Sequence, residues 1–156
     1  MRLQRLGWWK MGVKALGVNH VAFEVADLDE ALAWYGRYFE FELRGRRGGM
    51  AWIDLGDQFL ALSEQSAVTT DRDRHVGLVV DDKEALRALL SRDGVPVSSA
   101  GSLRVHDPSG NQLEIVDYRD IQFTKVPSVL RAMGAAGLAK RESALAELEA
   151  KGISDT

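Results

Sequence analysis

One order of elements occurs twice in this chain, about 55 residues apart, and that repetition limits its fold more than any other feature. The first copy opens with GVNHVAFEV over residues 17–25, where strict alternation places Val21, Phe23 and Val25 on one strand face and His20, Ala22 and Glu24 on the other. ADLDEALAWYGRYF follows as a helix, with Asp27 or Asp29 as its cap and Leu32, Tyr35 and Phe39 as the stripe toward the sheet. FELRGRR, MAWIDLG and QFLALSEQ then read as three short strands, parted by Gly48-Gly49 and by Gly56-Asp57. The unit is βαβββ.

The second copy runs RHVGLVVDD, a helix over EALRALLSRDG, and VPVSS, SLRVHD and NQLEIVDY as strands. Glu84-Ala85-Leu86 answers Glu30-Ala31-Leu32, and Gly110-Asn111-Gln112 answers Gly56-Asp57-Gln58. Two such units predict an α+β fold: paired βαβββ modules forming a curved, partly closed mixed sheet, helices outside and a concave ligand face inside. The boundaries are an N-terminal extension 1–15, a two-module domain 16–120 (modules 16–66 and 73–120) and a C-terminal helical extension 121–156. Residues 1–10 read as an upstream extension of a chain that begins at Met11.

Composition narrows the chemistry. A net charge of −3 with no basic block in the middle of the chain argues against nucleic acid and for a small-molecule partner. The absence of cysteine excludes disulfides, thiolate nucleophiles and finger-type zinc sites, and fits a cytoplasmic protein. No stretch approaches the ~18 apolar residues of a membrane span.

Two of only three histidines, His20 and His75, fall at equivalent places in the two modules, with small Ala22 and Gly77 next along the same face. In HDPSGNQLEIVDY the Asp-Pro-Ser-Gly turn launches a strand with Gln112, Glu114, Val116 and Tyr118 on one face and Leu113 and Ile115 on the other. A carboxylate in mid-strand needs a cation or a paired arginine to offset its burial. His20, His75 and Glu114 thus make a candidate two-histidine, one-carboxylate centre, the facial set that suits Fe(II) and leaves coordination positions open; Mn, Co, Ni and Zn fit the same donors. Taken singly, a strand histidine is more often structural, and Glu114 could pair with Arg104 alone. The alternation leaves open which face His106 takes.

The paired βαβββ units, the NHVAFEV and RHVGLVV starts and the DPSGNQLEIVD ending together resemble the vicinal oxygen chelate superfamily, which includes glyoxalases, bleomycin and fosfomycin resistance proteins and extradiol dioxygenases. The resemblance covers about residues 16–120 and implies metal ligation by His20, His75 and Glu114. Glyoxalases would carry a fourth ligand on the last strand of the first module, where this chain has Ala61 or, one residue over, Leu60. That leaves the triad of ring-cleaving dioxygenases, in which a tyrosine would stand where this chain has Arg104. The chain therefore reads as a small metalloenzyme that chelates vicinal oxygens, dioxygenase-like. The alternatives are a glyoxalase-type lyase or isomerase and a metal-free small-molecule binding protein.

Arg104 and Tyr118 are candidates to reach a metal-bound substrate oxygen, Arg104 neutralising a carboxylate or enolate and Tyr118 donating a hydrogen bond or proton. Glu24, on the His20 face, is the third candidate, as a base or an orienting group. Beyond residue 120, Pro127 starts a helix, Gly134 and Gly137 break it, and a second helix stops at Gly152-Ile153. Its Leu138, Leu145 and Leu148 stripe needs a cover, either the mouth of the cup or a second subunit; a homodimer is expected.

Overall fold

The structure, a computed structural model, describes residues 12–98 and 101–153; the extension over residues 1–10, with Trp8 and Trp9, lies outside the described residues. The first module is β1 (His20–Val25), α1 (Leu28–Tyr38), β2 (Leu43–Arg47), β3 (Met50–Asp54) and β4 (Phe59–Glu64). Its four strands form one mixed sheet in the order β1-β4-β3-β2, with β1 and β4 parallel. Phe23 and Val25 are buried while His20, Ala22 and Glu24 are exposed, as the alternation predicts. Asp27 is the cap of α1, its carboxylate accepting from the Glu30 amide at 2.8 Å. Leu28, Ala31, Tyr35 and Tyr38 form the buried face of that helix.

The second module is β5 (Val76–Val80), α2 (Lys83–Arg92), β6 (Leu103–His106) and β7 (Gln112–Asp117), with sheet order β5-β7-β6 and β5 parallel to β7. It has one strand fewer than expected, because VPVSS is irregular over its described residues 95–98. Pro96 has no amide to donate to a ladder. Ser98 keeps one backbone bond, its amide donating to the Arg104 carbonyl at 3.1 Å, and diverts the other into its side chain: its hydroxyl donates to the Ser102 carbonyl at 2.7 Å and accepts from the Arg104 amide at 3.1 Å.

The repeat extends to details that hold each helix to its sheet. Asp82 caps α2 through the Ala85 amide at 2.9 Å, as Asp27 caps α1. The last residue of each final strand reaches the first amide of its own helix, Glu64 to Leu28 at 2.8 Å and Asp117 to Lys83 at 3.2 Å. The apolar faces of both sheets and both helices merge into one core that includes Phe23, Val25, Tyr35, Leu62, Leu90, Leu113 and Ile115.

The Asp-Pro-Ser-Gly turn locks the modules together. Buried Asp107 accepts from the Tyr35 hydroxyl at 3.0 Å and from the amides of Ser109 and Asn111 at 2.9 Å. Ser109 Oγ accepts from the Ala26 amide, and Asn111 Nδ2 donates to the Glu24 carbonyl, both at 2.9 Å. Gly110 sits at φ +90°, with Thr70 packed where a side chain would be.

After a 3-10 turn at Tyr118–Asp120, α3 (Pro127–Ala132) and α4 (Glu142–Ala150) complete the chain. The stop of α4 is a Schellman motif: Ile153 N–H donates to Leu148 at 3.0 Å and Gly152 N–H to Glu149 at 2.8 Å. Ala144 and Leu148 are buried and α4 packs on the 3-10 turn, whereas Leu145 stays 43% exposed. The stripe is therefore covered in part by the chain itself. No helix among the described residues is long and apolar enough to cross a membrane.

Candidate functional site

The second module brings four of its polar side chains to the sheet face turned away from the helices. Leu103 and Val105 are buried in the core, so Arg104 and His106 alternate to the opposite face. The register sets Arg104 directly opposite Glu114, and His106 opposite Gln112. Glu114 Oε2 lies 3.0 Å from His75 Nε2 and 3.2 Å from Arg104 Nη2. Each of these three side chains is about a quarter to a third exposed, open to a ligand yet shielded from bulk screening.

The protonation of His75 makes this pair chemically specific. His75 Nδ1 lies 2.9 Å from the Asp73 carbonyl oxygen, which can only accept, so Nδ1 carries the proton. In a neutral ring Nε2 then presents a lone pair to a carboxylate oxygen 3.0 Å away. Two acceptors in contact repel unless a cation sits between them, and either a second proton or a metal ion answers that need. The donor set of an imidazole nitrogen and a carboxylate oxygen fits a divalent ion.

Gln112 holds this histidine in place, a role that strand alternation alone does not reveal. Its Nε2 donates to the carbonyls of Arg72 at 2.8 Å and Arg74 at 3.2 Å, pinning the segment that leads into His75. In the first module Gln58 Nε2 donates to the Val18 carbonyl at 2.7 Å, pinning the approach to His20 in the same way. The signal lies in the repeated Gly-X-Gln at the entry to each final strand. Asp71 supports the same corner: its carbonyl accepts from His106 Nε2 at 3.0 Å and its carboxylate from the Gln112 amide at 3.1 Å. Burial raises the Asp71 pKa, but the Gln112 amide and Arg74 outweigh it and hold the carboxyl below its usual range.

Of the remaining expected residues, Glu24 shares a cleft with His75, while His20 and Tyr118 lie elsewhere. His20 is exposed, stacked flat on Phe59 at 4.6 Å, with Nδ1 2.8 Å from Asn19 Oδ1. Among the described residues no three His, Asp or Glu side chains come together around one metal position, so within one chain His20 does not join His75 and Glu114. Ala61, paired with Ala22, occupies the His20 face where a fourth ligand would stand, and Leu60 turns into the core. Glu24 lines a cleft of about 280 Å³ together with Asp71, Arg74, His75 and Asn111. Tyr118 is buried in the C-terminal segment: its hydroxyl accepts from the Lys125 amide at 3.3 Å, and the Lys140 ammonium lies 3.5 Å from its ring centre. The strand ends at Asp117, so the alternation that would carry Tyr118 to the Glu114 face stops one residue short.

A family model described as the Glyoxalase/Bleomycin resistance protein/Dioxygenase superfamily matches residues 17–115. Among solved structures, the chain is similar to a possible glyoxalase from Bacillus cereus, with 27% identity, 65% of this chain and 99% of that one covered, and a TM-score of 0.57. A lactoylglutathione lyase from Agrobacterium tumefaciens is 21% identical over 67% of this chain and 96% of its own, with a TM-score of 0.55. A fosfomycin resistance protein from Listeria monocytogenes is 14% identical over 67% and 94%, with a TM-score of 0.57. With its two βα-sheet modules, its Asp-Pro-Ser-Gly turn and a match that spans most of both modules, the chain belongs to the Glyoxalase/Bleomycin resistance protein/Dioxygenase superfamily.

Proposed function

We propose that the protein is a metal-dependent enzyme acting on small substrates with vicinal oxygens, in which His75 and Glu114 of one chain and His20 of a second copy hold the ion. The observation that carries this is the facing of His75 Nε2 and Glu114 Oε2 at 3.0 Å with the ring proton committed to Asp73. Exposure of His20, Ala22 and Glu24 along β1 supports completion of the set by a homodimer. Three protein donors leave positions for two substrate oxygens and for dioxygen, which favours Fe(II) and ring cleavage. When bound, the ion supplies Lewis acidity and, as iron, a site for dioxygen. Glu24, in the cleft that His75 also lines, is the base available for proton transfer. The same base would serve glyoxalase-type isomerisation.

A second reading has its own observation. A binding protein that works without metal needs an arginine partner for Glu114, and Arg104 stands 3.2 Å from it.

Metal content decides between them. Protein purified without a histidine tag under anaerobic conditions is expected to carry near-stoichiometric iron that His75→Ala and Glu114→Ala each lose. Mixing His20→Ala with a His75→Ala, Glu114→Ala double variant is expected to restore part of the iron, since one site of each mixed dimer is intact. Iron-loaded protein is then expected to consume oxygen with catechols. Wild-type protein that stays monomeric and takes up no metal would leave the binding protein.

A further inference from the structure

We infer that Arg104 selects the substrate at this site, which is a vicinal diol or enediol that also carries a carboxylate, and that Arg104 is released for this task when a metal takes over Glu114. This rests on the metal-site reading above and adds to it the class of substrate and the order of events.

Arg104 and Glu114 are register partners on adjacent antiparallel strands, so the guanidinium cannot drift far from the carboxylate. The backbone of Arg104 is held on its outer edge as well, its carbonyl accepting from the Ser98 amide and its amide donating to Ser98 Oγ, both at 3.1 Å. Only the side chain has freedom, and its present arrangement is incomplete. One oxygen, Glu114 Oε2, accepts from Arg104 Nη2 at 3.2 Å and also lies 3.0 Å from His75 Nε2. Arg104 Nε meanwhile is the one side-chain nitrogen or oxygen among the described residues that is buried with no hydrogen-bond partner. An unmade buried donor is costly, and a guanidinium offers its donors as a planar fork matched to a carboxylate.

A divalent ion on Glu114 Oε2 and His75 Nε2 would take the oxygen that Arg104 now holds. The displaced fork can turn to present Nε–H and Nη2–H side by side toward the same open face. Of the neighbouring basic side chains, His106 Nε2 lies 3.0 Å from the Asp71 carbonyl and Arg74 pairs with the Asp71 carboxylate at 2.8 Å, whereas Arg104 holds a buried donor with no partner. A substrate that chelates the ion through two oxygens and ends in a carboxylate satisfies both centres, whereas a neutral diol leaves the fork unfilled.

The test uses full-length protein loaded with Co(II), read by its visible spectrum and by calorimetry, with catechol and 3,4-dihydroxybenzoate as probes under anaerobic conditions. Wild-type protein is expected to bind the carboxylate-bearing probe about tenfold more tightly than catechol, the worth of one charge-assisted pair. Arg104→Met should abolish that preference and Arg104→Lys retain part of it. Arg104→Met should also bind Co(II) about two- to fivefold more tightly, because the competitor for Glu114 is gone. Cobalt bound by wild type with no preference, or with a preference that survives Arg104→Met, would overturn the inference and leave the metal centre standing. Loss of cobalt from a folded Arg104→Met protein would overturn it too, by making Arg104 a support of the site. Wild type that binds no cobalt would overturn both.

Discussion

Tyr35 and Asp107 meet inside the core, where a phenol and a carboxylate would each be destabilising alone. Burial first, and then the neighbouring Asp107 charge, push the Tyr35 phenol well above its usual pKa. Since the unfolded chain releases that proton near pH 10 and the folded chain does not, stability falls as pH rises above about 10. Tyr35→Phe is expected to lose about 1–2 kcal/mol at pH 7, because Asp107 keeps its other donors but loses the hydroxyl. Its melting temperature should fall less steeply than that of wild type between pH 10 and about 11.5, a comparison that thermal scans make directly. At the same scale lies the lesson of Tyr118. Period-two counting assigned it to the Glu114 face, yet the strand ends at Asp117 and the side chain enters the C-terminal segment. A strand end is set by what the chain packs against next, which alternation does not encode.

The two modules use the same devices to join helix to sheet, with a carboxylate from the last strand on the first amide of the helix. In the second module this carboxylate, Asp117, also chelates Arg119 at 2.7 and 2.8 Å. The Arg119 guanidinium holds Asp117 well below the usual carboxylate range. A depressed acid contributes stability that is present above its unfolded pKa of about 4 and is lost as pH falls below it. Asp117→Asn is accordingly expected to be about 1–2 kcal/mol less stable at pH 7. It should lose less than wild type between about pH 4 and pH 2 in urea titrations. The residual acid slope belongs in part to Asp93, held down by Arg37 and Arg92. The lack of a strand over the described residues 95–98 shows where element counting by repeat fails. Pro96 was visible in the sequence, but the capture of the Arg104 amide by Ser98 depends on a loop closure that local pattern does not specify.

Across the whole molecule, the C-terminal segment returns to the first module. Lys125 Nζ donates to the Leu55 carbonyl at 2.7 Å and pairs with Asp57, while Val129 and Met133 pack over Gly56. Gly56 has φ +83°, and a Cβ there would stand 2.6 Å from Met133 Sδ and 2.7 Å from Val129 Cγ1. Gly48 has φ +58° with nothing within 4 Å of such an atom, which makes it the control. Gly48→Ala is expected to lose about 1 kcal/mol from backbone strain alone. Gly56→Ala should lose about twice that and expose Arg131 to faster tryptic cleavage as α3 lifts from the turn. Equal losses with unchanged cleavage would show that the segment does not bear on Gly56.

The sequence by itself determined the repeat and the local geometry that comes with it. That includes the alternating faces of His20–Val25 and Gln112–Asp117, an aspartate cap before the first helix, the turns at Gly56 and Gly110, and the choice of His75 and Glu114 as expected ligands. All of these arise from residue type and spacing within a short span, so a one-dimensional pattern carries them. Only the tertiary structure decided that Arg104 and His75 share one oxygen of Glu114, that Gln112 and Gln58 brace the two histidines, and that His20 stands apart within one chain. Those outcomes depend on how two sheets and a distant linker pack in three dimensions, where residues dozens of positions apart compete for the same donors and acceptors.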